Sequence, residues 1–301
     1  RSEKGWPDYI MGVIDQFDKM GLKIEGFDCV FGGNIPMGAG LSSSAAMECA
    51  FAYALNVTFG HNLSKLDLAL MGQRAENEFV GVKCGIMDQF ASVHGKTNQV
   101  IKLDCKTLEF EYYDLVMDHY RIVLCDTQVK HSLASSEYNT RRSECEAGVS
   151  LMKKYFPAIN SLRDLSVEQI SEHREEFDPV IYRRCRYVIE ENNRVVDACS
   201  KLQQGDIEGF GQDMYHSHEG LSNDYEVSCD ELDFLYKTAR GHKGVLGARM
   251  MGGGFGGCTI NLVKIEHLSE FVEDLTRAYH EAYNVALKTY TVKIEGGTCK
   301  I

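Results

Sequence analysis

The stretch GNIPMGAGLSSSAA, residues 33–46, sets two closely spaced glycines, Gly38 and Gly40, ahead of three serines, Ser42, Ser43 and Ser44. Glycines just before a helix let backbone N–H groups close around an anion at the positive end of the helix. The lysine of a P-loop is missing, so the stretch is either a turn with a serine cap or a different phosphate cradle. A cap needs only one serine. The spare hydroxyls could meet phosphate oxygens or hold Mg2+, as the P-loop Ser/Thr does.

Three further segments carry candidate chemistry. Leu66, Ala69, Leu70, Gln73, Glu76 and Val80 form one helical stripe, which turns Glu76 inward among apolar neighbours. A carboxylate there requires a lysine or arginine from another segment, or a metal shared with the serine loop. Asp88, within GVKCGIMDQF (residues 81–90), falls in a short glycine-bounded connection and is either a turn cap or a group that orients or deprotonates a hydroxyl. In DTQVKHSLASSEYNTRRSECE, residues 126–146, Tyr138 shares a helical face with Arg142, Cys145 and Val149, which suits a core aromatic. Lys130, Arg141 and Arg142 there concentrate positive charge, for an anion or as a solvated basic face.

Near the end, MMGGGFGGC, residues 250–258, formally contains the Gly-x-Gly-x-x-Gly dinucleotide pattern. A strand follows it where a helix should begin, which argues against a dehydrogenase. Its glycines still demand close approach of backbone to backbone or to a ligand. The absence of a Gly-x-Ser-x-Gly elbow removes the serine hydrolases of that type.

The elements that must position these groups read as α+β. Ile10, Val13, Ile14 and Phe17 recur at helical spacing over 8–20, ended by Gly21. Phe27 to Phe31 reads as a strand feeding the glycine loop, followed by helices from near Ser42 and from Ser64 to about Val80. Short strands are expected at Phe90–Val93, Val100–Leu103, Leu108–Tyr113 and Tyr120–Cys125. Residues 135–240 are almost wholly helical, and the tail reads strand (Val245–Met250), strand (Cys258–Val263), helix (Leu268–Tyr283), strand (Lys288–Ile294). That order suits a helix covering an antiparallel sheet, with a border between two lobes near residue 115.

At 301 residues and 44% hydrophobic content the chain can bury a large core. A net charge of -12 argues against general binding to nucleic acid or anionic membrane, so any anion must be held by local dipoles and a few cations. Eleven cysteines without a CxxC pattern read as free thiols of a reducing compartment. No apolar run approaches a membrane span.

Taken in order, GNIPMGAGLSSSAA, AENEFVGVKCGIMDQF, KHSLASSEYNTRR and ARMMGGGFGGC resemble the galactokinases of the GHMP kinase family, across essentially the whole chain. The glycine–serine loop and the glycine-rich tail are shared by GHMP kinases generally, whereas GIMDQF and SEYNTRR point to galactokinases. The resemblance implies a two-lobed α+β GHMP-kinase-like fold, with an incomplete N-terminal lobe over 1–114. A ferredoxin-like and helical C-terminal lobe would occupy 115–301.

It also implies ATP-dependent phosphorylation of the 1-hydroxyl of galactose; a cytoplasmic protein is expected, with the oligomeric state open and a monomer favoured. Gly38, Ala39, Gly40, Leu41, Ser42, Ser43 and Ser44 would wrap the nucleotide phosphates, with Ser44 and Glu76 holding Mg2+. Asp88 would act as base or orienting anion, and Tyr138, with Gly85, would contact the sugar. Lys130 occupies a position where the family often has a basic residue, and Gly253 and Gly254 would close over the cleft.

One departure stands beside the match. Galactokinases carry an upstream Arg-x-x-Glu-His-x-Asp-Tyr type segment, and nothing here fits it; the chain opens on Arg1, and WPDYIMGVI falls downstream of that region. The expectation is a galactokinase chain without its first motif, which phosphorylates galactose poorly or not at all by itself. The alternative is a related protein that senses sugar and ATP without turnover.

Overall fold

The computed structural model describes residues 5–36, 40–129 and 134–300, which divide into two compact units. The first comprises residues up to 115 together with 293–301, and the second runs over 116–292.

Helix α1 (Pro7–Lys19) starts on a proline, where a missing N–H is harmless, and stops before Gly21 at φ +70°. Its Val13 and Phe17 are fully buried against Phe51, Ala52 and Leu55 of α2 (Ser43–Thr58) and Leu68 and Met71 of α3 (Lys65–Arg74). Burying Phe17 alone contributes roughly 1.5–3 kcal/mol. Ser64 caps α3 through a reciprocal box, its hydroxyl accepting from the Asp67 N–H while the Asp67 carboxylate accepts from the Ser64 N–H. The helix expected to continue to Val80 changes its winding at Ala75, where a π turn (Ala75–Val80) begins and Gly81 ends it at φ +91°. Such turns concentrate at functional sites.

Two expected strands are absent from the first unit. Residues 22–36 carry no regular structure, Val30 is fully exposed, and no described strand pairs with the segment. Without a ladder partner, β-forming residues such as Val30 and Phe31 cannot become a strand. Phe90–Val93 lies instead within helix α4 (Met87–His94), whose Phe90 and Val93 join Ile86 in one buried cluster with Cys49 and Ala69. A short, largely apolar run is compatible with either element, and here the three- and four-residue spacing from Ile86 decides it. Strands β1 (Gln99–Leu103) and β2 (Phe110–Asp114) form an antiparallel pair. The end of the chain packs beside them: Asn98 N–H donates to the Ile294 carbonyl, Gly297 N–H to Gly95, and Thr298 N–H to Ser92.

In the second unit β3 (Tyr120–Asp126) leads into helices α5 (Ala134–Met152), α6 (Val167–Glu172), α7 (Pro179–Gln203), α8 (Ile207–Asn223) and α9 (Asp230–Arg240). Then come β4 (Val245–Met250), β5 (Cys258–Lys264), α10 (Leu268–Tyr283) and β6 (Lys288–Val292). The sheet order β4-β5-β3-β6, antiparallel throughout, is that of a βαββαβ ferredoxin-like layer with an enlarged first helical connection. Leu235 and Tyr236 of α9 and Phe271, Leu275 and Tyr279 of α10 cover Val123, Cys125, Ala248 and Val263 on the sheet. A separate helical core gathers Met152, Tyr182, Cys185 and Ile189. The described cysteines are all free thiols, and among the described residues no helix is long and apolar enough to cross a membrane.

Candidate active site

Ser44 lies in the first turn of α2 and Glu76 in the π turn, and the Ser44 hydroxyl donates to Glu76 Oε1 at 3.4 Å. Glu76 is 7% exposed, as its helical stripe foretold. Its partners are a hydroxyl, an amide and a thiol rather than a basic side chain: Gln89 Nε2 donates to Oε2 at 2.8 Å, and the Cys84 thiol donates to the same oxygen at 3.5 Å. Burial pushes the Glu76 carboxyl up; the bonds from Cys84, Ser44 and Gln89 oppose that rise, and the Asp88 charge adds to it. Both Oε2 donors come from the 81–90 segment, so Oε1 is the oxygen turned toward the serine.

The hydroxyl of Ser44 and Oε1 of Glu76 form a pair of hard oxygen donors suited to Mg2+ or Mn2+. Adjacent ligands of an octahedral Mg2+ lie about 2.9 Å apart for bonds of ~2.05 Å, so a separation of 3.4 Å needs only a small adjustment. The residues fit such an ion.

Two participants escaped the sequence reading. Glu48 of α2 is fully buried, and Gln89 Nε2 donates to its Oε2 at 3.1 Å while also bonding Glu76. Burial, followed by the neighbouring Glu76 charge, pushes the Glu48 carboxyl up to about 8. Glu48 stands four residues after Ser44, hence on the same helix face, and that spacing was the available signal. Gln89 directly follows Asp88 and gave none.

The glycine–serine loop resolves in part. Gly40 adopts φ +71°, as its place before a helix requires, while Gly38 and Ala39 lie outside the described residues. Ser42 occupies the N-cap position at φ +54° but forms no side-chain bond to the helix amides, so the reading of this loop as a serine cap is overturned. Leu41 and Ser43 are half-buried beside it. An uncapped first turn leaves N–H groups for another acceptor.

Asp88 is not in a helix-to-strand connection. It is exposed in the first turn of α4, a favourable place for a carboxylate, directly before buried Gln89. Gly85, in the preceding connection, is exposed, and a Cβ on it would meet nothing within 4 Å.

In the second unit Tyr138 is 46% exposed on α5, not a core aromatic, and a Cβ built on Gly253 would lie 3.8 Å from its ring. Arg141 is neither an anion site nor part of a solvated face. It is buried, its Nε donating to the Tyr225 carbonyl at 2.7 Å and its Nη2 to the Glu226 carbonyl at 3.0 Å. Buried Arg184 holds the same segment through the Asp224 carbonyl and the Glu226 carboxylate. The glycine-rich stretch packs on the next residue, the Phe255 N–H donating to the Val227 carbonyl at 2.7 Å. Gly254 and Gly256 thus approach backbone, at Val227 and Val129 respectively. Lys130 lies outside the described residues.

Residues 8–96 match the GHMP kinases N terminal domain and residues 198–281 the GHMP kinases C terminal domain. The chain is 44% identical over 296 residues to a galactokinase of Thermotoga neapolitana, which spans 98% of this chain and 82% of that protein. A galactokinase of Clostridium acetobutylicum is 45% identical over 298 residues, spanning 98% of this chain and 76% of its own. The crystal structure of Lactococcus lactis galactokinase complexed with galactose aligns with a TM-score of 0.95 at 36% identity, over 100% of this chain and 78% of that one.

Proposed function

Because this chain belongs to the galactokinase family of GHMP kinases, we propose that it transfers the γ-phosphoryl group of ATP to the 1-hydroxyl of galactose, giving galactose 1-phosphate and ADP. The observation that carries the reading is the Ser44–Glu76 pair: a helix-mouth hydroxyl facing a buried carboxylate that, among the described residues, no basic side chain pairs with. Buried charges are paired or hold metals, and an uncapped helix start beside such a pair suits a phosphate chain.

Phosphoryl transfer asks the protein mainly to position groups and to neutralise charge. Gly38–Ser44 wrap the nucleotide phosphates, and the free first-turn amides of α2 bind their oxygens. Ser44 and Glu76 hold Mg2+, which when bound offsets charge on the phosphate oxygens. Asp88, exposed in the first turn of α4, accepts the proton of the sugar 1-hydroxyl or orients that hydroxyl. Exposed Tyr138 offers a hydrogen bond to the sugar, and Gly253, with room above it, lets a ligand lie close to the loop. A sensing protein without turnover would need none of the proton-accepting role of Asp88.

ADP release coupled to a spectrophotometric readout, with galactose, N-acetylgalactosamine and mevalonate as alternative acceptors, tests the assignment. Turnover with galactose well above the other two is expected. ATP binding with no ADP release on any acceptor would contradict the transfer proposed for this chain, and preference for mevalonate would refute the sugar assignment.

A further inference from the structure

Glu76 presents two carboxylate oxygens, and they are not equivalent. Oε2 accepts from both Gln89 Nε2 and the Cys84 thiol, at 2.8 and 3.5 Å, while Oε1 meets only the Ser44 hydroxyl among its described hydrogen bonds. The amide that occupies Oε2 is itself held from behind. Its second N–H reaches Glu48 Oε2 at 3.1 Å, and Gln89 and Glu48 are 1% and 0% exposed. Among the described residues Gln89 Oε1 and Glu48 Oε1 have no hydrogen-bond partner, so the amide is anchored through Nε2, to the two carboxyl groups and, at 3.8 Å, to the Cys84 sulfur.

The packing is built to admit this amide. A Cβ on Gly72 of α3 would lie 3.1 Å from Gln89 Cγ and 3.5 Å from Glu48 Cβ, so a glycine here gives Gln89 its place beside α3. Turned the other way, the amide would set its carbonyl oxygen against the Glu76 carboxylate, which disfavours that orientation.

We infer that Gln89 is a positioning residue for the cation site: clamped to Glu48, it fixes Oε2 of Glu76 and leaves Oε1 aimed at Ser44 and the ion. The inference rests on the reading of Ser44 and Glu76 as cation ligands. Gln89 touches neither the ion nor the substrate in this account; it acts through Glu76. Outer-shell partners of metal ligands alter metal affinity by roughly 10–100-fold when replaced.

Calorimetric titration of the protein with Mn2+–AMP-PNP, and separately with metal-free AMP-PNP, isolates the metal-dependent part of binding. Gln89→Met keeps the volume and removes both hydrogen bonds; it should weaken Mn2+–AMP-PNP binding by roughly 10–100-fold and leave metal-free AMP-PNP unchanged. A merely structural defect would weaken both alike. Glu48→Gln retains an acceptor for the amide and should bind the metal complex like the parent protein, whereas Glu48→Leu removes the anchor and should weaken it. This pair keeps the inference testable if Gln89→Met does not fold, and equal affinities of the two Glu48 variants would overturn it. Glu76→Gln separates the two levels. If it weakens only the metal complex while Gln89→Met binds like the parent, the positioning role fails and the cation site stands. If Glu76→Gln changes neither titration, both fall.

Discussion

Gly254 lies directly against the carbonyl of Val227: a Cβ on it would come within 2.1 Å of that oxygen, and its φ of +86° belongs to the left-handed region. Both constraints act in the same direction. Gly254→Ala should destabilise the protein by about 3 kcal/mol or more, combining backbone strain with an overpacked contact. Gly253→Ala, where the nearest atom would be the Tyr138 ring at 3.8 Å, should be tolerated far better. Chemical denaturation of the two variants side by side measures the difference.

The 224–227 segment beneath that glycine is itself clamped by Arg141, which bonds the carbonyls of Tyr225 and Glu226. Arg141→Met leaves both acceptors unsatisfied in a largely buried place and should cost about 2–4 kcal/mol. Arg142, exposed and paired with Glu146 one turn on, should cost well under 1 kcal/mol when changed to Met. Thermal unfolding of the two neighbouring variants reads the contrast.

Asp233 gives a pH dependence whose sign is fixed. Burial would raise its carboxyl, yet bonds from His218, Ser228 and Ser222 outweigh that and bring it to about 2. A carboxyl lowered in the folded state stabilises the protein above its unfolded pKa of 3.8, and this is lost as pH falls toward 2. The parent protein should therefore lose ~2 kcal/mol more than Asp233→Asn between pH 5 and 2. Parallel slopes of stability against pH would contradict this. The network matters to the loop, because the Met250 N–H donates to Nδ1 of His218 just before the glycine run.

Much of this was legible in the residues. The inward stripe carrying Glu76, the ββαβ tail and the helical stretch after Ser135 follow from spacing alone, because buried faces impose period on the sequence. What escaped notice depends on contacts between distant segments. Gln89 sits on α4, Glu48 on α2 and Glu76 on the π turn, and no local pattern tells that one amide bonds two carboxylates. Arg141 read as free charge because, besides Glu144 and Glu137 on its own helix, it is held by backbone carbonyls 84 and 85 residues later, which carry no side-chain signature. Residues 27–31 have the composition of a strand, but pairing is a property of two segments, and none of the described strands supplies the second. The return of the last residues onto Gly95 and Ser92 is likewise made by backbone groups.

Asp88 carries the chemical step in this account. Asp88→Asn preserves shape and removes the proton acceptor, so kcat should fall about 10²–10⁴-fold while ATP affinity stays close to that of the parent. A variant with near-normal kcat would remove Asp88 from the reaction.

The central claim is a chemical conversion, and its product is directly observable. Phosphorus NMR of the protein incubated with Mg2+, ATP and galactose should show a sugar 1-phosphate resonance growing in step with ADP, and Asp88→Asn should abolish that growth. ADP appearing without the sugar phosphate, or the sugar phosphorylated at a different hydroxyl, would contradict it.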